Sequence, residues 1–376
     1  MTLSNKLLAQ MRAATRSLFR RGPSVARAVL HESIKNVSSL HPAAHPTLSR
    51  DTFNAASNQV SHDPFSDMLA GLNRIGQPGS NPFHVPPLAG GGGAPGLPGH
   101  VVEASYTNDA GTRSYKLYVP SSYTGNAAPL LVMLHGCTQN PDDFALGTGM
   151  NALAEECACL VAYPAQSQQA NPSRCWNWFN AVDQQHGQGE PSIIAGLTRD
   201  IMARYAVDPE QVFVAGLSAG GAMAAIMGTL YPDLYAAVGV HSGLPFAAAH
   251  DLPSAVAAMK GDFRRPQAPG RALPIIVFHG DRDTTVHPAN GDELIHQRRR
   301  HPAEAIDVEP GQVPDGHAYT RTLHRRPDGS VDAEHWVVHG SGHAWSGGDA
   351  RGSYTDGKGP NASLAMMRFF RTARRS

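Results

Sequence analysis

The spacing of hydrophobic positions beyond residue 100 predicts two kinds of strand. Val101–Tyr106 and Ser114–Val119 alternate polar and apolar residues around the turn-prone Asn108-Asp109-Ala110-Gly111, which predicts an antiparallel hairpin. The apolar runs that follow are continuous, which is typical of strands buried on both faces of a parallel sheet. These runs are Pro129–Leu134, Leu160–Tyr163, Val212–Ala215, Ala237–Val240, Ile275–Phe278 and Trp336–Val338.

Helical periodicity lies between these runs, at Phe144–Glu156, Ile193–Tyr205 and Ala219–Leu230. Strands that alternate with helices predict an α/β fold with a doubly wound, mostly parallel sheet, preceded by the antiparallel hairpin. In such a sheet, ligands bind beyond the carboxyl ends of the strands. Functional side chains are therefore expected at those ends.

The first hundred residues follow neither strand pattern. Residues 1–35 place apolar residues near helical spacing among Lys and Arg, with no acidic residue before Glu32, which predicts a basic amphipathic helix. Such a helix suits attachment to an anionic or apolar surface, or targeting; the plain alternative is a terminal helix that docks on its own domain or frays. Residues 36–100 are rich in Ser, Asn, His, Pro and Gly, and we expect a mostly irregular linker. Residues 101–376 then form the α/β domain.

Composition narrows the classes of function. The 376 residues carry 31 basic and 31 acidic side chains, so no global field attracts nucleic acid or an anionic membrane. No apolar run approaches the roughly 18 residues that span a bilayer, so no transmembrane segment is expected. The four cysteines lack zinc-site spacing and the 19 histidines include no His-Glu-x-x-His, so no metal is expected.

The candidate nucleophile is Ser218, in Gly216-Leu217-Ser218-Ala219-Gly220. An apolar run precedes this stretch and a helical pattern follows it, which is the order of a nucleophile elbow. The serine there sits on a strained turn that only flanking glycines leave room for. The alternative is a glycine turn without a catalytic role, because the short motif alone is weak.

Polar residues follow the predicted strands. The first run is followed by His135, the third by Ser218, the fifth by His279-Gly280-Asp281-Arg282-Asp283 and the last by His339-Gly340-Ser341-Gly342-His343. A serine nucleophile needs a histidine to take its proton and a carboxylate to orient that imidazole. Ser218, an aspartate in the fifth loop and His343 occur in the order serine, acid, histidine that α/β-hydrolases use. The residues alone leave Asp281 and Asp283 as alternatives.

Two further roles follow from this arrangement. Two backbone amides are expected to form an oxyanion hole. One belongs to Ala219, after the nucleophile, and the other to Cys137, in the loop after Pro129–Leu134, which is the third strand when the hairpin is counted. A Cys137 nucleophile is the competing interpretation, but that cysteine lies in the wrong loop for an elbow. His135 and His279 each precede a glycine at a strand end and fit hydrogen-bonded structural roles better than the role of base.

Five stretches carry a family resemblance: Leu134-His135-Gly136-Cys137-Thr138-Gln139, Cys175-Trp176-Asn177-Trp178-Phe179, Gly216 to Met223, His279 to Val286 and Gly342 to Gly348. Together they resemble the esterases related to polyhydroxybutyrate (PHB) depolymerases, which share their fold with feruloyl and acetylxylan esterases. The resemblance covers roughly residues 100–370. It implies an α/β-hydrolase fold, acylation of Ser218, His343 as the base, and no cofactor.

The resemblance also settles two open points as expectations. The family's acid occupies the aspartate of His-Gly-x-x-Asp-x-x-Val, which falls on Asp283. Cys137 and Cys175 both fall within family motifs near the site, which implies a disulfide between them and leaves Cys157 and Cys159 as buried thiols.

Export is common in the family and would keep such a disulfide oxidised. An extracellular protein is therefore expected by resemblance, although residues 1–35 lack a convincing secretory signal because arginines interrupt the apolar core. A cytoplasmic, granule-associated protein is the alternative. The chain departs from the family at one position. The family usually has Trp-Pro-Gly-Gly after the catalytic histidine, whereas this chain has Trp345-Ser346-Gly347-Gly348. Serine in place of proline loosens the loop beside the base.

The sequence thus predicts a serine esterase acting through an acyl-enzyme on poly(3-hydroxybutyrate) or short 3-hydroxyalkanoate esters. Trp176, Trp178 and Trp345 are expected to line the rim and to grip a polyester or stack on a feruloyl ring; packing of their own loops is the alternative. A feruloyl or acetylxylan esterase is the rival of the same class. The rival of another class is a catalytically idle protein that binds storage granules through residues 1–35.

Overall fold

The structure is a computed structural model, and it describes residues 96–262, 270–298 and 305–375. The predicted basic helix at 1–35 and the predicted linker up to residue 95 lie outside the described residues. No helix in the described ranges is long and apolar enough to cross a bilayer.

A ten-stranded sheet runs through the described part of the chain. Its order is β1-β2-β4-β3-β5-β6-β7-β10-β9-β8. The strands are β1 His100–Asn108, β2 Gly111–Val119, β3 Ala128–Leu134, β4 Leu160–Pro164, β5 Val207–Leu217, β6 Ala237–His241, β7 Ile275–Gly280, β8 Ala305–Gln312, β9 Ala318–Arg325 and β10 Val331–Val338.

Six neighbouring strands pair in parallel, in the order β4, β3, β5, β6, β7 and β10. The strands at each end of the sheet pair antiparallel. The predicted hairpin is present, with Asn108 opposite Gly111 at its turn. All six continuous apolar runs form the central parallel strands, as predicted. The antiparallel pair β8 and β9 was not predicted, because β8 is exposed along nearly its whole length and carries no buried pattern.

Helices cover both faces of the sheet. They are α1 Pro141–Thr148, α2 Met150–Cys157, α3 Gly189–Arg204, α4 Ala219–Leu230, α5 Leu252–Met259, α6 Ala289–Arg298 and α7 Ala362–Thr372. Apolar side chains of α3 and α4 pack in one core, and those of α1, α2 and α7 pack in a second. A helix layer on each face makes the sheet doubly wound, as the sequence predicts.

One predicted helix is divided in the structure. The helical pattern at Phe144–Glu156 spans both α1 and α2, which are separated by Gly149 at φ 61°. That left-handed conformation ends a helix, and glycine adopts it without a Cβ penalty. A hydrophobic pattern alone does not show such a break, because the buried face continues across it.

Candidate active site

Ser218 occupies a strained turn between strand β5 and helix α4. Its φ of 56° and ψ of −120° are unusual for a residue other than glycine. The flanking glycines explain how the turn fits. A Cβ on Gly216 would lie 2.4 Å from the backbone of Gly220, and a Cβ on Gly220 would lie 2.0 Å from the carbonyl oxygen of Leu134. This is the backbone geometry of a nucleophile elbow.

Asp283 and His343 are joined at the carboxyl edge of the sheet. His343 Nδ1 lies 2.7 Å from Asp283 Oδ2. The other carboxylate oxygen of Asp283 accepts the amides of Thr285 and Val286 at 2.9 and 2.8 Å. Since a carboxylate only accepts, His343 Nδ1 carries the proton and Nε2 is left as an acceptor.

The electrostatics of Asp283 favour its ionised form. Burial alone would raise the pKa of Asp283, but the electrostatic interaction with His343 and the hydrogen bonds with His279 and His343 outweigh burial and hold that pKa well below its ordinary value. Asp281, the alternative acid, is directed elsewhere: its carboxylate contacts His339 Nδ1 at 3.0 Å and accepts the amide of Gly340 at 2.7 Å.

His241 connects Ser218 to the loop that carries His343, the histidine loop. The amide of Ser218 donates to His241 O at 2.9 Å, and His241 Nε2 accepts the amide of Ser346 at 2.9 Å. The His241 ring also stacks on Trp345, with centroids 5.0 Å apart. Within the described residues the Ser218 hydroxyl makes no hydrogen bond with His343. Such bonds are often long in a free hydrolase and shorten when substrate is bound.

The expected oxyanion loop lies directly against the elbow. A Cβ built on Gly136 would be 3.6 Å from the Cβ of Ser218, so Cys137 is one residue from that contact. Neither the Cys137 amide nor the Ala219 amide donates a hydrogen bond to another described residue. Both amides are thus available to an external oxyanion; Ala219 is the first residue of helix α4, where amides have no partner within the helix.

The disulfide implied by the family resemblance is confirmed: Cys137 is bonded to Cys175. It joins the expected oxyanion loop, which contains Gly136, Cys137 and Thr138, to the loop that carries Trp176. Because the sulfur of Cys137 is used in this bond, a cysteine nucleophile at that position is excluded in the disulfide form. Cys157 and Cys159 are free; Cys159 is buried and Cys157 is half-buried.

The two other histidines at strand ends hold the backbone. His135 Nδ1 donates to Gly136 O at 2.8 Å and Nε2 accepts the amide of Gln166 at 3.1 Å. Burial lowers the pKa of His135 to about 4, so the ring stays neutral. His279 Nε2 donates to Val286 O at 2.8 Å and lies 3.4 Å from Asp283 Oδ2. His135 is therefore structural, whereas His279 contacts Asp283 as well as the backbone.

The expectation that three tryptophans line the rim is wrong. Trp176, Trp178 and Trp345 are 0%, 2% and 1% exposed. Trp345 packs edge-on against Phe144, and its Nε1 donates to Ser363 Oγ at 3.0 Å. Trp176 packs against His135 and Trp178 edge-on against Phe179, so all three rings pack beneath the loops.

Sequence reasoning missed two groups near the site. His241 directly follows the predicted run Ala237–Val240, so the rule about strand carboxyl ends would have found it. Tyr354 lies in a polar loop without any motif, and no sequence signal marked it. Among the described residues, no three His, Cys, Asp or Glu side chains are grouped so that they could hold a metal ion.

Comparison with known proteins identifies the family. The profile of the family described as Esterase PHB depolymerase matches residues 113–309, just over half of the chain. The chain belongs to this family. Poly(3-hydroxyalkanoate) depolymerase C of Paucimonas lemoignei is 32% identical over 250 residues, which cover 63% of this chain and 59% of that relative. The probable acetylxylan esterase A of Aspergillus fumigatus is 28% identical over 210 residues, covering 51% of this chain and 55% of the relative.

This PHB depolymerase family member thus spans little more than half the length of those two relatives. Its fold is also similar to that of the acetyl xylan esterase from Aspergillus awamori, with a TM-score of 0.55. That match has 21% identity and covers 73% of this chain and all of the other. The α/β-hydrolase fold predicted from the sequence is therefore confirmed.

Proposed function

We propose that the protein is a serine esterase that hydrolyses carboxylic esters through an acyl-enzyme. The observation that carries the proposal is the bond of 2.7 Å between Asp283 and His343 at the same sheet edge as the strained turn of Ser218. A carboxylate that fixes one imidazole tautomer leaves the other nitrogen ready to take a proton from a serine.

The chemistry follows from these positions. Ser218 Oγ attacks the ester carbonyl while His343 Nε2 takes the hydroxyl proton. The amides of Cys137 and Ala219 stabilise the negative oxygen of the tetrahedral adduct. His343 then gives its proton to the leaving alkoxide, and the acyl group remains on Ser218. Water, activated by the same imidazole, hydrolyses that acyl-enzyme and restores the free serine.

The proposed substrates are poly(3-hydroxybutyrate) and short 3-hydroxyalkanoate esters. Membership of the PHB depolymerase family and the similarity to a depolymerase from Paucimonas lemoignei support this choice. Acetylated xylan and feruloyl esters are the alternative substrates, supported by the similarity to the Aspergillus fumigatus protein.

We further propose that the protein works in an oxidising, extracellular setting. The disulfide between Cys137 and Cys175 supports this, because reducing compartments keep thiols free. The basic amphipathic pattern of residues 1–35 supports a separate proposal, contact with a polymer granule or similar surface. Deleting residues 1–95 should then reduce granule binding while soluble-ester turnover persists; unchanged binding contradicts the contact.

The test of the enzymatic proposal is Ser218→Ala assayed with p-nitrophenyl butyrate. Loss of the nucleophile should lower kcat by on the order of 10⁴-fold or more. Ser192→Ala is the matched control, since Ser192 Oγ donates to Gly189 O on helix α3. Full hydrolysis by Ser218→Ala would refute the mechanism, and absence of ester hydrolysis by the unaltered protein would favour an idle binding protein. Comparing polymer film, methyl ferulate and acetylated xylan then identifies the substrate.

A further inference from the structure

Tyr354 is an exposed aromatic residue that contacts both loops of the candidate site. It is 36% exposed, and its hydroxyl lies 3.2 Å from Thr138 Oγ1. Its carbonyl accepts the amide of Trp345 at 2.7 Å, two residues beyond His343. Thr138 directly follows Cys137 in the oxyanion loop. The ring thus stands where the oxyanion loop and the histidine loop meet.

The hydroxyl of Tyr354 is already used within the protein. Thr138 Oγ1 donates its own proton to Cys137 O at 2.6 Å, so toward the tyrosine it can only accept. The phenol proton of Tyr354 is therefore given to Thr138. What remains for a ligand is the exposed ring surface, which is apolar.

The backbone at both ends of this contact is strained. Thr138 has a φ of 66° and Tyr354 a φ of 52°, in the left-handed region that favours glycine. Residues with side chains remain there only when their surroundings hold them, and such positions cluster at active sites and ligand clamps. The strain agrees with a ring held in one place for contact with a ligand.

A network of hydrogen bonds fixes the position of the Tyr354 loop. The amide of Ser353 donates to Asp143 Oδ1 at 2.8 Å, and Gln139 Nε2 donates to Ser353 O at 3.1 Å. Gln139 Oε1 in turn accepts the amide of Gly136 at 2.9 Å. The residue before Tyr354 is therefore fastened to the loop that lies against Ser218, which fixes the ring relative to the nucleophile.

Three carboxylates in and beside the Tyr354 loop already have partners. Asp143 accepts from Ser353 and from Gln139 Nε2, the latter at 3.0 Å. Asp349 is paired with Arg351, and Asp356 lies 2.9 Å from His317 Nε2. Carboxylates whose oxygens already accept hydrogen bonds or ion pairs within the protein are less available to a charged ligand. The surface that Tyr354 presents therefore suits a neutral, partly apolar chain.

We infer that Tyr354 is a specificity-determining residue whose ring binds the part of a hydroxyalkanoate ester chain that extends beyond the scissile bond. The inference rests on the proposed esterase function. Contact with a ring contributes more for a chain of several units than for an acetyl ester, because the longer chain has more apolar surface to place against it. Tyr354 should therefore set the preference for longer esters over acetate.

The kinetic test compares p-nitrophenyl acetate with the methyl ester of a 3-hydroxybutyrate trimer. Tyr354→Ala should lower kcat/KM for the trimer about three- to tenfold more than for the acetate, mainly through KM. Tyr354→Phe keeps the ring and should keep most of that preference. Tyr123→Phe is the matched control. Tyr123 lies in the segment between strands β2 and β3, and its hydroxyl accepts the amide of Ala206 at 2.8 Å.

Equal losses on both esters would overturn the inference, as would a larger loss on methyl ferulate than on the trimer. Binding in the Ser218→Ala background separates this inference from the proposed function. There the trimer Kd, measured by calorimetry, should rise about three- to tenfold when Tyr354→Ala is added. If Ser218→Ala still hydrolyses esters, the proposed function fails. If it is inactive and the trimer Kd is unchanged by Tyr354→Ala, only the role of Tyr354 fails.

Discussion

His343 donates its Nδ1 proton to Asp283, which lies 60 residues earlier in the chain, and further contacts hold that carboxylate in one orientation. Its second oxygen is held by the amides of Thr285 and Val286, and the whole side chain is buried. The imidazole is therefore fixed in one tautomer by an anion whose own orientation is set by the backbone.

Asp283→Asn should lower kcat by about 10⁴-fold while the protein still folds. The amide is the same size, but its NH₂ group can be turned toward His343, which then accepts at Nδ1 and presents its proton at Nε2. That tautomer cannot take the serine proton. The measurement is steady-state hydrolysis of p-nitrophenyl butyrate, with circular dichroism as the check of folding.

Asp281→Asn is the matched control for the acid. Asp281 is two residues away, and its carboxylate contacts His339 and the amide of Gly340 at the loop surface. We expect a loss of less than about tenfold, since exposed pairs of this kind contribute little. Equal losses in the two variants would contradict the assignment of Asp283.

Gly220→Ala should prevent folding or cost about 3 kcal/mol or more in the free energy of unfolding. The added Cβ would stand 2.0 Å from the carbonyl oxygen of Leu134, which is part of strand β3 and cannot move alone. Gly342→Ala is the control, because nothing lies within 4 Å of its Cβ position. It should change stability by less than about 1 kcal/mol. Similar urea midpoints for the two variants would show that the elbow has more room than the structure indicates.

Much of the fold could be predicted because its central strands are buried on both faces. Continuous runs such as Leu130 to Leu134 leave a clear pattern, whereas the exposed strand β8 has none. Predicted strands were mostly too short, since β5 begins at Val207, five residues before its apolar run. Pairing with a neighbouring strand, rather than burial, extends it.

The site was predictable to the extent that sequence motifs fix positions along the sheet edge. Strand ends and chain order indicated Ser218 and His343, but two aspartates two residues apart in one loop could not be separated without the family resemblance. The hydrogen bonds of Asp283 depend on how that loop turns in the folded protein, and no pattern in the sequence indicates that turn. The burial of Trp345 and the placement of Tyr354 depend on loop packing, which leaves no periodic trace in a sequence.

Reduction of the disulfide between Cys137 and Cys175 should destabilise the protein by about 3–4 kcal/mol. The bond closes a loop over a sequence separation of 38, and opening it returns conformational entropy to the unfolded chain. It should also lower kcat, because the Cys137 amide is then held less firmly beside Ser218. The measurement is the thermal midpoint and the p-nitrophenyl butyrate rate with and without dithiothreitol.

Cys157→Ser serves as the control for thiol effects in general, because Cys157 is free and half-buried. Its midpoint should fall in dithiothreitol just as the midpoint of the unaltered protein does. The double variant Cys137→Ala with Cys175→Ala should be insensitive to the reductant. A midpoint that dithiothreitol leaves unchanged in the unaltered protein would contradict a stabilising disulfide.

Stability should fall as the pH is lowered from about 7 to about 4, because three buried histidines stay neutral in the folded state. Burial lowers the pKa of His135 to about 4 and those of His241 and His335 to about 3, from an ordinary value of 6.5. Between these values the unfolded chain binds protons that the folded protein does not. Unfolding is therefore favoured by up to about 1.4 kcal/mol per pH unit for each histidine.

His335→Gln isolates one of these contributions. The ring of His335 is buried on strand β10, and its loss should reduce the slope of unfolding free energy against pH by up to about 1.4 kcal/mol per pH unit in this window. His250→Gln is the control, since the His250 side chain is 78% exposed and should leave the slope unchanged. Urea unfolding at several pH values measures the slope. If His335→Gln and the unaltered protein give the same slope, His335 is protonated equally in both states. Asp283 adds little to the slope in this window, because above its ordinary pKa of 3.8 the carboxylate is ionised in both the folded and the unfolded state; its stabilising contribution is lost only as the pH falls below that value.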